Sequence, residues 1–308
     1  MALNWSVFKT RATTAVFFVA VMLLGLLWNQ WSFLVLFTII HFGCWWEWLK
    51  LAEKIHQTSF HIYTKLGFML AGYGLMLWFC NPVIYQLNGF GLKDNFSLPV
   101  SAAGFLLLLI GIFQSNPVNI KAFAMAVGGW IYISLGWGLM IDLAAVSVSL
   151  FQGIEPGLQW RPFDYSMVLI PCVIIVSVWV NDTMAYLVGS LIGKTPLSTI
   201  SPKKTWEGTI GGVVLCIVAV GFLFSAISTE SVVPGFHTFI EKKTWFFIAG
   251  IAAITGTFGD LFKSKFKRLA GVKDSGTFLP GHGGFLDRFD SMLMATTFVW
   301  LYVKLLMR

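Results

Sequence analysis

The segment from Gly259 to Ser291, GDLFKSKFKRLAGVKDSGTFLPGHGGFLDRFDS, concentrates side chains able to do chemistry: six basic residues and four acids, Asp260, Asp274, Asp287 and Asp290. Asp260 ends an otherwise apolar stretch, where an unpaired carboxylate is expensive. Two readings follow. It pairs with Lys263, three residues on along a helix, or it joins a second carboxylate in holding a divalent cation whose shell substrate phosphates complete. Lys263, Lys267 and Arg268 read either as a basic flank of a membrane helix or as contacts for a polyanion. Gly271, Gly276, Gly281, Gly283 and Gly284 favour the second, since glycines let backbone N–H groups close around phosphate oxygens. His282 is a loop hydrogen-bonding residue or a base. Asp287 and Asp290, three apart, share one face of the next helix turn, where one of them serves as an N-terminal cap.

A second polar stretch, NDTMAYLVGSLIGKTPLSTISPKKTWEGTIGG from Asn181, carries Ser201, Lys203 and Lys204. Pro202 suits the first position of a helix. Lysines beside a helix N-terminus oppose its macrodipole and point to an anionic ligand attracted by both; the alternative is again a basic flank. Trp206 reads as an interfacial anchor and Glu207 as a partner for a lysine. Asp182 is a helix-end residue or part of the site.

These groups must be held by elements built for a bilayer. Of 308 residues, 57% are hydrophobic and only 11% charged, less than half the roughly 25% of soluble domains. Ordinary soluble domains and disorder are both excluded. Apolar segments near the roughly 20 residues a span needs lie at 12–28, 31–48, 66–85, 98–113, 122–148, 165–180, 208–228, 245–260 and 291–307. The expected fold is an all-α polytopic integral membrane protein of about nine helices. The first segment is not expected to be a cleaved signal peptide, because no small-residue cleavage site follows it. Cys44, Cys80, Cys172 and Cys216 are scattered singly and read as buried apolar residues. With the N-terminus cytoplasmic, 15 of the 21 basic residues fall on the inner side, as the positive-inside rule requires. The halves differ: 1–164 has short loops with little chemistry, whereas 165–308 carries two long inner loops, 181–207 and 260–290. The second half is the expected catalytic half.

The stretch S-K-F-K-R-x4-K-D-S-G-T-F-L-P-G-H-G-G-F-L-D-R-F-D, from Ser264 to Asp290, resembles the signature of the phosphatidate cytidylyltransferases, or CDP-diacylglycerol synthases. Ile200 to Gly208, I-S-P-K-K-T-W-E-G, resembles their second landmark, as does Asp182 to Tyr186. Met184 stands where many members have a small residue, and Ser190 where bacterial relatives often carry a base. The resemblance implies a magnesium-dependent reaction of CTP with phosphatidate, giving CDP-diacylglycerol and pyrophosphate at the cytoplasmic face of the cell's inner membrane. It implies Asp260 and Asp287 as ligands of Mg2+ and, with Lys267 and Arg268, as catalytic residues. Ser201, Lys203, Lys204, Lys273, Asp274, His282 and Arg288 are the implied substrate-binding residues. The expected partners are CTP, phosphatidate, the bilayer and a second copy of the chain in a homodimer, with no nucleic acid.

A CTP-dependent lipid kinase would share these features. The CDP-alcohol phosphotransferases are set aside because their DG-x2-DG array is absent. A secondary transporter would place ionisable groups at mid-membrane and show internal repeats; only Glu47 and Asp142 lie within a span, and no repeat is visible.

Overall fold

The computed structural model describes residues 5–114, 119–152, 165–228, 240–276 and 283–307. Among the described residues, ten α-helices run in order: α1 (Trp5–Leu27), α2 (Gln30–His56), α3 (Ile62–Trp78), α4 (Leu98–Gln114), α5 (Ile120–Gly129), α6 (Gly136–Gln152), α7 (Leu169–Ile192), α8 (Trp206–Ile227), α9 (Lys242–Leu269) and α10 (Leu286–Leu306). A wide π-type turn, Trp130–Leu135, carries α5 into α6. The strands of the described residues are two residues long, β1 (Gln86–Leu87) antiparallel to β2 (Phe90–Gly91).

The chain is an all-α polytopic membrane protein. Among the described residues, seven helical stretches are long and apolar enough to cross a membrane: Gln30–His56, Lys93–Gln114, Ile120–Leu150, Leu169–Ile192, Trp206–Ile227, Lys242–Leu269 and Leu286–Leu306. The two other expected spans fall on shorter apolar helix. The apolar part of α1 is Thr13–Leu27, and α3 has 17 residues.

The chain divides into two compact units, one of residues 1–141 with 266–289, the other of 142–265 with 290–308. In the first unit α2 is the central element, with Phe33, Phe37, Trp45 and Leu49 fully buried. Two of its polar groups share one partner: His41 Nε2 and Trp45 Nε1 both meet Ser134 Oγ, at 3.0 and 2.8 Å. Phe266 and Phe285 of this unit pack on α2. The rings of Trp48 and Phe266 lie 5.0 Å apart, and a Cβ on Gly43 would stand 2.5 Å from the Phe285 ring.

In the second unit α7 and α8 form a close pair. A Cβ on Gly208 would lie 2.6 Å from the Ala185 carbonyl oxygen, and one on Gly212 would lie 2.9 Å from the Ala185 nitrogen and from the Asn181 carbonyl oxygen. Small residues one turn apart thus bring the two backbones together, as at other membrane helix interfaces. α9 and α10 meet the same way, since a Cβ on Gly259 would lie 2.6 Å from the Asp290 carbonyl oxygen.

Candidate functional site

The α7–α8 pair is the frame of a cavity of about 500 Å³. Asn181, Asp182, Ala185, Tyr186, Gly189 and Ser190 line it from α7, Thr209 from α8, and Thr257 and Asp260 from α9. Ser201, Lys203, Lys204 and Thr205 complete the wall from the connecting segment. That segment folds back on itself. Leu197 N–H donates to the Lys204 carbonyl at 2.7 Å, and Trp206 N–H to the Thr195 carbonyl at 2.9 Å.

Pro202 does not open a helix. Lys204 N–H donates to the Ser201 carbonyl at 3.1 Å, so Ser201 to Lys204 is a turn with proline at its second position, where its fixed φ is favoured. α8 begins only at Trp206, with Thr205 as its cap: the Thr205 hydroxyl accepts Gly208 N–H at 3.2 Å. The two lysines therefore project from a turn ahead of the helix. Glu207 does not pair with a lysine side chain among these contacts; its carboxylate accepts the N–H groups of Lys194 and Thr195 at 3.2 Å. It fixes the segment that presents the lysines.

Charges on the cavity side of the unit are interlocked. Lys204 Nζ lies 2.6 Å from Asp260 Oδ2. Lys263 Nζ is 3.7 Å from Asp260 Oδ1 and 2.5 Å from Asp290 Oδ2. Asp260 thus pairs with Lys263 along α9, as the first of its two sequence readings has it, and also lines the cavity. The donor set there is oxygen-rich, with the carboxylates of Asp182 and Asp260 and the hydroxyls of Ser201, Thr209 and Thr257. Asn181 donates from Nδ2 to Thr257 Oγ1 at 3.2 Å, while its buried Oδ1 has no partner among the described residues. Oxygen ligands of this kind are what magnesium takes when phosphates complete its shell. No group of three His, Cys, Asp or Glu ligands occurs among the described residues.

The other expected site residues belong to the first unit. α9 ends there at Leu269, with Gly271 at φ +66° and Val272 N–H donating to the Lys267 carbonyl at 2.9 Å. This is a Schellman closure, which a glycine permits. Lys267 Nζ then meets Asp287 Oδ1 at 2.9 Å. Asp287 Oδ2 accepts Ser275 N–H at 2.8 Å and Gly284 N–H at 3.1 Å. Asp287 thus accepts N–H groups that precede α10 rather than those of its own first turn, so it is not the N-terminal cap expected of one aspartate in the pair, while Asp290 pairs with Lys263. Arg268, Lys273 and Asp274 are exposed and Arg288 half-buried. His282 lies outside the described residues.

A model described as the cytidylyltransferase family matches residues 9–306. The chain belongs to the cytidylyltransferase family. Phosphatidate cytidylyltransferase 4 of Arabidopsis thaliana chloroplasts is 34% identical over 221 residues, covering 68% of this chain and 53% of its own length. The phosphatidate cytidylyltransferase of Thermotoga maritima is 41% identical over 137 residues, 43% of this chain and 48% of its own. That of Helicobacter pylori is 32% identical over 228 residues, 71% of this chain and 79% of its own. The chain spans about half the length of the first two.

In this cytidylyltransferase-family chain the structure brings Ser201, Lys203, Lys204 and Asp260 to one cavity and joins Lys267 to Asp287. Sequence reasoning missed Asn181, Thr209 and Thr257, whose small polar side chains inside apolar helices give no periodic signal. It also missed Glu47 as a partner of the glycine-rich loop. Its carboxylate accepts Ser275 Oγ–H and the N–H groups of Phe285 and Leu286.

Proposed function

We propose that the protein is a phosphatidate cytidylyltransferase: the lipid phosphate of phosphatidate attacks the α-phosphorus of CTP, giving CDP-diacylglycerol and releasing pyrophosphate. The observation that carries this reading is the Lys204–Asp260 pair on the wall of an oxygen-rich cavity, in a chain of this family. A phosphomonoester has its second pKa near about 6 and is mostly a dianion at neutral pH, so the attack needs no general base. What remains is alignment and neutralisation of charge.

Lys203 and Lys204 suit the phosphates. An arriving triphosphate competes with Asp260 for Lys204, freeing one carboxylate oxygen as the lysine turns to phosphate. Asp260, with Asp182 and Asn181 beside it, would hold Mg2+, which when bound supplies Lewis-acid neutralisation of the triphosphate and the departing pyrophosphate. Asp287 as the second metal ligand rests on the resemblance; it is held by Lys267 and two backbone N–H groups. Lys267 has the same choice between carboxylate and phosphate. Arg268, Lys273, Arg288, Asp274, Ser201 and His282 complete the proposed substrate contacts. The site is proposed to face the cytoplasm from the inner membrane, with the N-terminus on that side and two copies of the chain in the assembly.

Purified protein in detergent, given phosphatidate, magnesium and CTP labelled in its α-phosphate, should convert the label into CDP-diacylglycerol and release unlabelled pyrophosphate. Transfer of the γ-phosphate with release of labelled CDP would replace this reading with a lipid kinase.

A further inference from the structure

We infer that Glu47, in the middle of α2, is the positioning residue that sets the glycine-rich loop before α10 for nucleotidyl transfer. The inference rests on the reading above and adds a residue from the half of the chain in which little chemistry was expected. Glu47 is 4% exposed, and its carboxylate is satisfied from the loop alone in the contacts described. Oε2 accepts the Ser275 hydroxyl at 2.7 Å and Leu286 N–H at 2.9 Å; Oε1 accepts Phe285 N–H at 2.9 Å. One side chain therefore ties both stems of the loop, before residue 277 and after residue 282.

Two glycines exist for this contact. A Cβ on Gly276 or on Gly284 would collide with the Glu47 carboxylate. One turn earlier on α2, Gly43 makes room for the Phe285 ring, where a Cβ would lie 2.5 Å away. The helix is thus shaped at both positions to seat the same loop end. Next to it, Ser275 and Gly284 give their N–H groups to Asp287. Glu47 and Asp287 share the loop between them, so the setting of Glu47 sets the Asp287 carboxylate and the Lys267 paired to it.

A carboxylate offers only acceptors, matching three donors. Glutamine has the same shape but turns one acceptor into an N–H2 donor facing an N–H or O–H, and a buried donor left unmatched is costly. Glu47→Gln should lower kcat per folded enzyme at least tenfold, with KM for CTP and phosphatidate within threefold. The backbone amides of Phe285 and Leu286 should lose hydrogen-exchange protection while those in the core of α7 and α8 keep theirs. Should Glu47→Gln not fold, Ser275→Ala removes one of the three bonds and should give a smaller loss in kcat with the same pattern. Unchanged protection at Phe285 and Leu286, or kcat within twofold after protection is lost, would overturn the inference. If the wild type forms no CDP-diacylglycerol the proposed function fails, and the exchange measurement still decides whether Glu47 anchors the loop.

Discussion

Two lysine–carboxylate contacts on the same unit differ in what they leave exposed. The side chains of Lys263 and Asp290 keep 3% and 5% of their surface, those of Lys204 and Asp260 31% and 24%. Breaking a buried pair from one side leaves an uncompensated charge and costs about 3–5 kcal/mol, whereas a half-exposed pair contributes about 0–1 kcal/mol. Asp290→Ala should therefore clearly lower the protein's thermal stability in detergent, measured by the melting of its helical signal. Asp260→Asn should keep nearly all of that stability and reduce turnover at least about a hundredfold, the scale of a lost transition-state electrostatic contact. Equal effects of the two substitutions on melting would refute this division of labour. The sequence made Asp260 and Asp290 look alike, since both sit in the same charged segment near a helix end. Lys263 meets both, and it is their burial that separates them.

The α7–α8 pair is the element on which the cavity depends. Gly212 meets Ala185 Cβ at 2.8 Å and the Asn181 carbonyl oxygen at 2.9 Å for a built Cβ, so Gly212→Leu forces the helices apart just where Asn181 and Asp182 face the cavity. Overpacking of this kind costs about 1–3 kcal/mol. The variant should still insert and purify, yet lose CTP binding, checked by equilibrium binding of the labelled nucleotide. Binding at wild-type affinity would detach the cavity from the helix seam. These helices were legible from apolar length, because a bilayer allows few other solutions. The start of α8 was not. Ser-Pro is a helix-opening signal and equally a turn signal, and which one prevails depends on Thr205 being available as a cap three residues later. The glycines of the second loop are ambiguous in a similar way: Gly271 ends a helix and Gly276 and Gly284 clear space for a carboxylate, uses that leave the same letters in the sequence as an anion cradle.

For the molecule as a whole, the expected orientation is open to a direct test. Among the native cysteines, Cys44, Cys80 and Cys216 are buried and Cys172 half-buried, so the background for thiol labelling is low. A cysteine introduced at Lys203 or Lys273, both exposed, should react with a membrane-impermeant maleimide in inverted inner-membrane vesicles and stay unlabelled in intact spheroplasts. The opposite pattern would turn the protein over in the membrane. Charge asymmetry supplied this expectation. It could not supply Glu47, whose partners begin 228 residues later in the chain and whose single letter in an apolar span carries no sign of them.

That separation has a consequence for biosynthesis. At about 5–20 residues per second, the 228 residues between Glu47 and Ser275 take roughly 11–46 s to translate. Throughout that interval α2 carries a carboxylate whose eventual partners have not left the ribosome, in a helix already competent to enter the bilayer. A nascent chain halted before Ser275 therefore carries this acidic group in a membrane helix without the three donors that satisfy it in the finished protein.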